Sequence, residues 1–104
     1  MKTIILISLI KRIFKSHNLN NKDASVCANA LINAELVGAP SHGLSRLKMY
    51  CDRIKKKIIN PRPKIKIKKT SSSIAHVDAD NSIGFVAADI AIKAAINNAK
   101  KTGI

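Results

Sequence analysis

Apolar residues recur along this chain at changing spacings, and the changes divide it into elements. Over residues 3–16, Ile4, Ile5, Ile7, Leu9, Ile10, Ile13 and Phe14 form a broadly apolar helical pattern. The segment Asn18-Leu19-Asn20-Asn21 breaks it, and Asn21 or Asp23 can cap the next helix. Residues 22–37 carry the clearest helical stripe. Ala24, Cys27, Ala28, Leu31 and Ala34 lie on one side, and Ser25, Asn29 and Asn33 on the other. Gly38-Ala39-Pro40 ends that helix. A third helix is predicted over 42–57, where Leu44, Leu47, Cys51, Ile54 and Ile58 recur at steps of three and four and form its inward face. Lys55-Lys56-Lys57 suits the negative end of its dipole.

Beyond the stop at Asn60-Pro61-Arg62-Pro63 the period changes from helical to alternating. Lys64-Ile65-Lys66-Ile67-Lys68 reads as a strand with one wet face. Residues 74–78 read as a second strand, joined to the first through Ser71-Ser72-Ser73. Asp78-Ala79-Asp80-Asn81-Ser82 is a turn into a last helix, 83–101, striped by Ile83, Ala87, Ile90, Ala91 and Ala94 and closed by Gly103. The expected order is three helices, a β-hairpin and a fourth helix. Residues 1–60 form the helical part and 61–104 the start of an α/β part. Two strands alone are marginal in water.

Composition adds three constraints. Aromatics make up only 3% of the 104 residues, so the core must be aliphatic. The apolar start is far shorter than the ~20 residues a bilayer requires. It runs into Lys11-Arg12 rather than a small-residue cleavage site, so an amphipathic first helix and a cytoplasmic protein without a membrane partner are expected. The net charge of +13 fits either a nucleic-acid partner or a lysine-rich solvated surface. Of 19 basic residues only 4 are Arg, and Phe14, Tyr50 and Phe85 are too dispersed for a stacking platform. That balance disfavours nucleic acid, although a small basic nucleic-acid-binding protein stands as the alternative class.

The chemistry-bearing segment is Ser41-His42-Gly43-Leu44-Ser45-Arg46, followed by Leu47, Tyr50 and Arg53. On a helix beginning near 42, His42, Arg46, Tyr50 and Arg53 share one face. Histidine can exchange a proton near neutral pH, and arginine can hold a carboxylate through two parallel hydrogen bonds. A proton donor beside a carboxylate clamp suits reduction of a 2-oxo acid, where an alkoxide must be protonated while the acid group is held. The same residues also fit a plain helix start with a surface histidine, a solvated arginine and a packed tyrosine. Cys27 and Cys51 read as free buried thiols. His17 and His76 read as structural, and Asp78 and Asp80 as turn formers rather than metal ligands. Gly38, Gly43, Gly84 and Gly103 match neither a G-x-G-x-x-G fingerprint nor a P-loop.

Taken together, Ala34-Glu35-Leu36-Val37-Gly38-Ala39-Pro40-Ser41-His42-Gly43-Leu44-Ser45-Arg46-Leu47 resembles the A-D-L-x-G-x-x-S-H-G-x-x-R-L signature of the malate/L-lactate dehydrogenase family. That family includes ureidoglycolate, sulfolactate and 2,3-diketogulonate dehydrogenases or reductases. The similarity continues through Tyr50, Arg53, Ile59-Asn60-Pro61, Val77-Asp78-Ala79-Asp80-Asn81-Ser82-Ile83-Gly84 and Thr102-Gly103-Ile104. The resemblance implies an α/β fold without the Rossmann fingerprint, of which this chain is the N-terminal portion. It implies a cytoplasmic, homodimeric oxidoreductase using NAD or NADP on small 2-oxo or 2-hydroxy acids. His42 would be the acid/base, Ser41 and Arg46 would belong to the substrate pocket, and Tyr50 would line it. Family members continue into a further strand and an Asn-His motif, whose histidine is an alternative acid/base, and then into most of the cofactor contacts. A chain ending at Ile104 is therefore expected to be inactive by itself.

Overall fold

Phe14, Cys27 and Leu31 are the largest side chains wholly removed from solvent, and the first two helices meet around them. The computed structural model of the protein describes residues 2–38, 43–69, 71 and 74–103. Helix α1 (Lys2–Ser16) buries Ile10 and Phe14 and half-buries Ile7. It ends in a Schellman motif: Asn18, at φ 75°, donates its N–H to Lys15 O, and Leu19 N–H reaches Phe14 O at 3.2 Å. Leu19 is thereby turned inward and buried.

Helix α2 (Asn21–Leu36) is capped by Asn20, whose Oδ1 accepts the Asp23 N–H at 2.7 Å. This corrects the expected caps Asn21 and Asp23. Asn20 is the last residue with extended backbone, so only its side chain can fold back onto the third helical N–H. The predicted stripe of α2 holds, with Ala24, Cys27, Ala28, Leu31 and Ile32 buried and Asn29 and Asn33 exposed. Ala34 is only half-buried.

The single helix expected over 42–57 is shorter and compound. A 3-10 turn, Leu44–Arg46, leads into α3 (Leu47–Lys55). Cys51 and Ile54 are buried, and Leu44, Leu47 and Tyr50 pack on the core. Ile58, expected inside, is 60% exposed, and Ile59 is buried in its place. The cause is a second Schellman stop. Lys57 adopts φ 62°, Lys57 N–H reaches Ile54 O, and Ile58 N–H reaches Arg53 O at 2.9 Å.

Strands β1 (Lys66–Lys69) and β2 (Ala75–Asp78) pair antiparallel, with Lys66 opposite Asp78, Ile67 opposite Val77 and Lys68 opposite His76. β1 begins two residues later than the alternation predicts, and all four of its residues are exposed. Ile65, ahead of the strand, packs on the core instead. Helix α4 (Gly84–Thr102) lies against β2 and α2, burying Val86 and Asn98, with Ile83 buried just ahead of it. Gly103, at φ 76°, closes it as expected.

One carboxylate ties the hairpin to the helical part. Asp80 Oδ2 accepts the Lys64 N–H at 2.8 Å and the Asn60 side-chain amide at 3.1 Å. Asn60 N–H donates to Asn81 O, and Arg62 Nε donates to Asn18 O at 2.6 Å. The Asn-Pro stop and the Asp-Ala-Asp-Asn turn, far apart in sequence, thus form one joint.

Candidate functional site

The segment Ser41–Arg46 begins beyond the end of α2 and leads into α3. Ser41 and His42 lie outside the described residues. Gly43, next in the chain, is buried against the Glu35 side chain. Glu35 sits in the last turn of α2 and reaches across to accept the Leu44 N–H through Oε1 at 2.9 Å. Leu44 opens the 3-10 turn, whose first N–H groups have no partner within the turn itself. A carboxylate there satisfies one of them and suits the positive end of the turn. The turn closes with Arg46 N–H to Gly43 O at 3.0 Å.

Arg46 is half-buried at the end of this turn. Tyr50 is half-buried one turn into α3, with its ring edge-on to Phe85, centroids 5.6 Å apart and planes at 65°. Arg53 is exposed. The expected shared face is therefore divided. Tyr50 turns toward the start of α4 and packs on the core, while Arg53 faces outward. There, with Ser45, Lys48, Asp52 and Lys56, it borders an open cleft of about 470 Å³. Neither Arg46 nor Tyr50 lines that cleft.

The remaining titratable groups behave structurally. Burial, helped by the negative charge of Asp23, pushes the Cys27 thiol up to about 12. Burial also raises Cys51, with Lys55 opposing the shift and Asp52 adding to it. His17 Nδ1 lies 2.9 Å from Ile13 O at the end of α1, and His76 is exposed on the hairpin. Among the described residues no group of three or more His, Cys, Asp or Glu side chains is placed to hold a metal ion. No described helix is long and apolar enough to cross a membrane.

Two residues of interest were not singled out from sequence. Glu35 acts over nine residues, which no local pattern reports. Asn98 lies four residues after Ala94 and seven after Ala91, so extending the α4 stripe would have reached it. It is 3% exposed, and its Oδ1 has no hydrogen-bond partner. It lines a trough of about 260 Å³ with Ile74, Ala75, Val77, Ala91, Ala94 and Ala95.

Residues 3–104 match the sequence model of malate/L-lactate dehydrogenases. The chain belongs to the malate/L-lactate dehydrogenase family. It is 41% identical over 99 residues to a malate dehydrogenase of Pyrococcus abyssi, covering 95% of this chain and 27% of that one. An L-sulfolactate dehydrogenase of Methanocaldococcus jannaschii is 36% identical over 96 residues, or 92% of this chain and 28% of its own length. The solved malate dehydrogenase of Pyrococcus horikoshii OT3 superposes with a TM-score of 0.93 at 37% identity, covering 97% of this chain and 29% of that structure. The chain thus spans little more than a quarter of the length of these members of the malate/L-lactate dehydrogenase family. The resemblance carried by the S-H-G-x-x-R segment is confirmed, as is the order of four helices and a hairpin. The nucleic-acid alternative gains no support from these dehydrogenase relatives.

Proposed function

We propose that this chain contributes the substrate-gripping and proton-handling part of a dehydrogenase that interconverts 2-oxo and 2-hydroxy acids. The observation that carries this reading is the placement of Arg46. It is half-buried at the close of a short turn that begins directly after Gly43, inside the segment matched by the family. In this reading Arg46 grips the substrate carboxylate, and Ser41 donates a hydrogen bond beside it. His42 gives its proton to the developing alkoxide, or takes it in the reverse direction. Tyr50, its ring held in a T-shaped contact with Phe85, borders the pocket.

A nicotinamide dinucleotide, NAD or NADP, belongs to this proposal, as do assembly as a homodimer and residence in the cytoplasm. The described residues do not fit a dinucleotide by themselves. In the turn before α4 the Asp80 carboxylate already accepts from Lys64 N–H and Asn60, so it is engaged in the fold rather than offered to a ribose. The cofactor contacts are therefore assigned to the longer protein.

The test is a chimera in which these residues replace the matched segment of the Pyrococcus horikoshii malate dehydrogenase. We expect malate-dependent turnover of a nicotinamide cofactor, and none from the 104-residue chain alone. His42→Ala in the chimera should lower turnover by about 10²–10⁴-fold, the usual worth of a positioned acid or base. Arg46→Lys should mainly raise the Michaelis constant, because a point charge replaces a bidentate fork. An inactive chimera that is folded, or a His42→Ala variant within a few-fold of its parent, would overturn the assignment.

A further inference from the structure

Glu35 holds the one described hydrogen bond that reaches from α2 to the start of the Leu44–Arg46 turn. Its Oε1 accepts the Leu44 N–H at 2.9 Å across nine residues of chain. The contact is built as a mated pair. A Cβ added to Gly43 would stand 2.6 Å from Glu35 Oε1, 2.8 Å from Cγ and 3.0 Å from Cδ. Real Cβ atoms do not approach that closely, so any side chain at 43 would push the Glu35 carboxylate out of its present place. Gly43 is buried and Glu35 is half-buried, which strengthens a charge-assisted bond relative to one in open water. The clamped N–H is that of Leu44, in the Gly43–Leu44 peptide, two residues before Arg46.

We propose that Glu35 is a positioning residue: its carboxylate fixes the Gly43–Leu44 backbone, and so sets where the turn that follows presents the Arg46 side chain. This rests on the role proposed for Arg46. The side chain length matters as well as the charge. The A-D-L-x-G signature carries aspartate where this chain has Glu35, and an aspartate is one methylene shorter.

Nuclear magnetic resonance on the 104-residue chain separates positioning from a general structural role. Hydrogen exchange at the Leu44 amide reads the clamp, exchange at Leu31 in the centre of α2 reads global stability, and the Arg46 Nε–H resonance reads the placement of the guanidinium. Glu35→Ala should speed exchange at Leu44 about tenfold or more, in line with losing a hydrogen bond to a charged group. It should leave Leu31 unchanged and should shift the Arg46 signal. Glu35→Gln, which retains reach and an acceptor, should recover part of both effects, and Glu35→Asp should recover less. Equal loss of protection at Leu44 and Leu31, an unprotected Leu44 amide in the unaltered chain, or an unmoved Arg46 signal would each overturn the proposal. Titration with oxalate tests the underlying reading separately. If oxalate fails to perturb Arg46 in the chimera, the carboxylate grip is refuted, while the Leu44 and Arg46 signals of the 104-residue chain still decide the clamp.

Discussion

At the scale of single residues, Glu35 and Gly43 form a pair whose energetics are tied. Gly43→Ala forces the carboxylate off Leu44 and leaves that N–H without its partner. The expected loss is about 1–3 kcal/mol, the range for leaving a buried donor without its partner. In a Glu35→Ala background the obstacle is gone, so the same glycine substitution should be nearly neutral. A double-mutant cycle on the thermal midpoint of the chimera checks this, and strict additivity would exclude the coupling. Cys27 carries a second consequence. Its thiol, raised from 9 to about 12, binds its proton more tightly when folded than when unfolded. Stability from this group is complete below pH 9 and is lost as pH rises from about 9 toward 12. Native Cys27 should therefore resist alkylation at neutral pH until the chain unfolds, which mass spectrometry under increasing urea would show.

At the scale of elements, the caps decide more than the stripes do. Asn20→Ala removes the acceptor for Asp23 N–H and should destabilise the chain by about 1 kcal/mol. Asn21→Ala should be close to neutral, and thermal melts of the two variants check the contrast. The stripe of α2 was legible because helical period and burial coincide, whereas the expected α4 stripe is only half-buried beyond Ile83 and the buried residues of that helix are Val86 and Asn98; the Gly103 stop was legible because glycine alone sits easily at positive φ. The inward turn to Ile59 was not legible. It depends on Lys57 taking a left-handed conformation, and lysine carries no signal for that. The exposure of β1 was equally hidden, since alternation shows that a strand has two faces but not that something covers one of them. The family was legible as a motif, in the segment that carries Ser41, His42 and Arg46. Its supports were not: Glu35 acts across a loop, and Tyr50 is turned inward by a ring on α4.

At the scale of the whole molecule, apolar surface outweighs what the chain can bury. Ile4, Ile5, Leu6 and Leu9 are exposed on α1, and Ile92 and Ile96 on α4. The radius of gyration is 15.1 Å, against about 13 Å for a compact domain of this length. The trough between β2 and α4 holds the unpaired Asn98 amide oxygen, a burial that is unfavourable without a partner. The isolated chain should unfold over a broad urea range and associate through these faces, despite a net charge of +13 that opposes association. Circular dichroism and light scattering measure both. A sharp transition from a monodisperse monomer would contradict the expectation.

The joint at Asp80 has a consequence for how this hairpin tolerates change. Lys64 and Asp80 are held together at the base of the excursion, and Asn60 is fastened to the same carboxylate. The entropy of bringing those ends together is met at the base and depends only weakly on the length of the far tip. Doubling a loop adds only about 0.6 kcal/mol to its closure. Extra residues inserted between β1 and β2 would therefore leave the joint, and the helices behind it, in place. The tip is the natural position for a tag, a spectroscopic probe or a whole grafted domain, whereas a single residue added between Asn60 and Lys64 would pull the hairpin off its anchor.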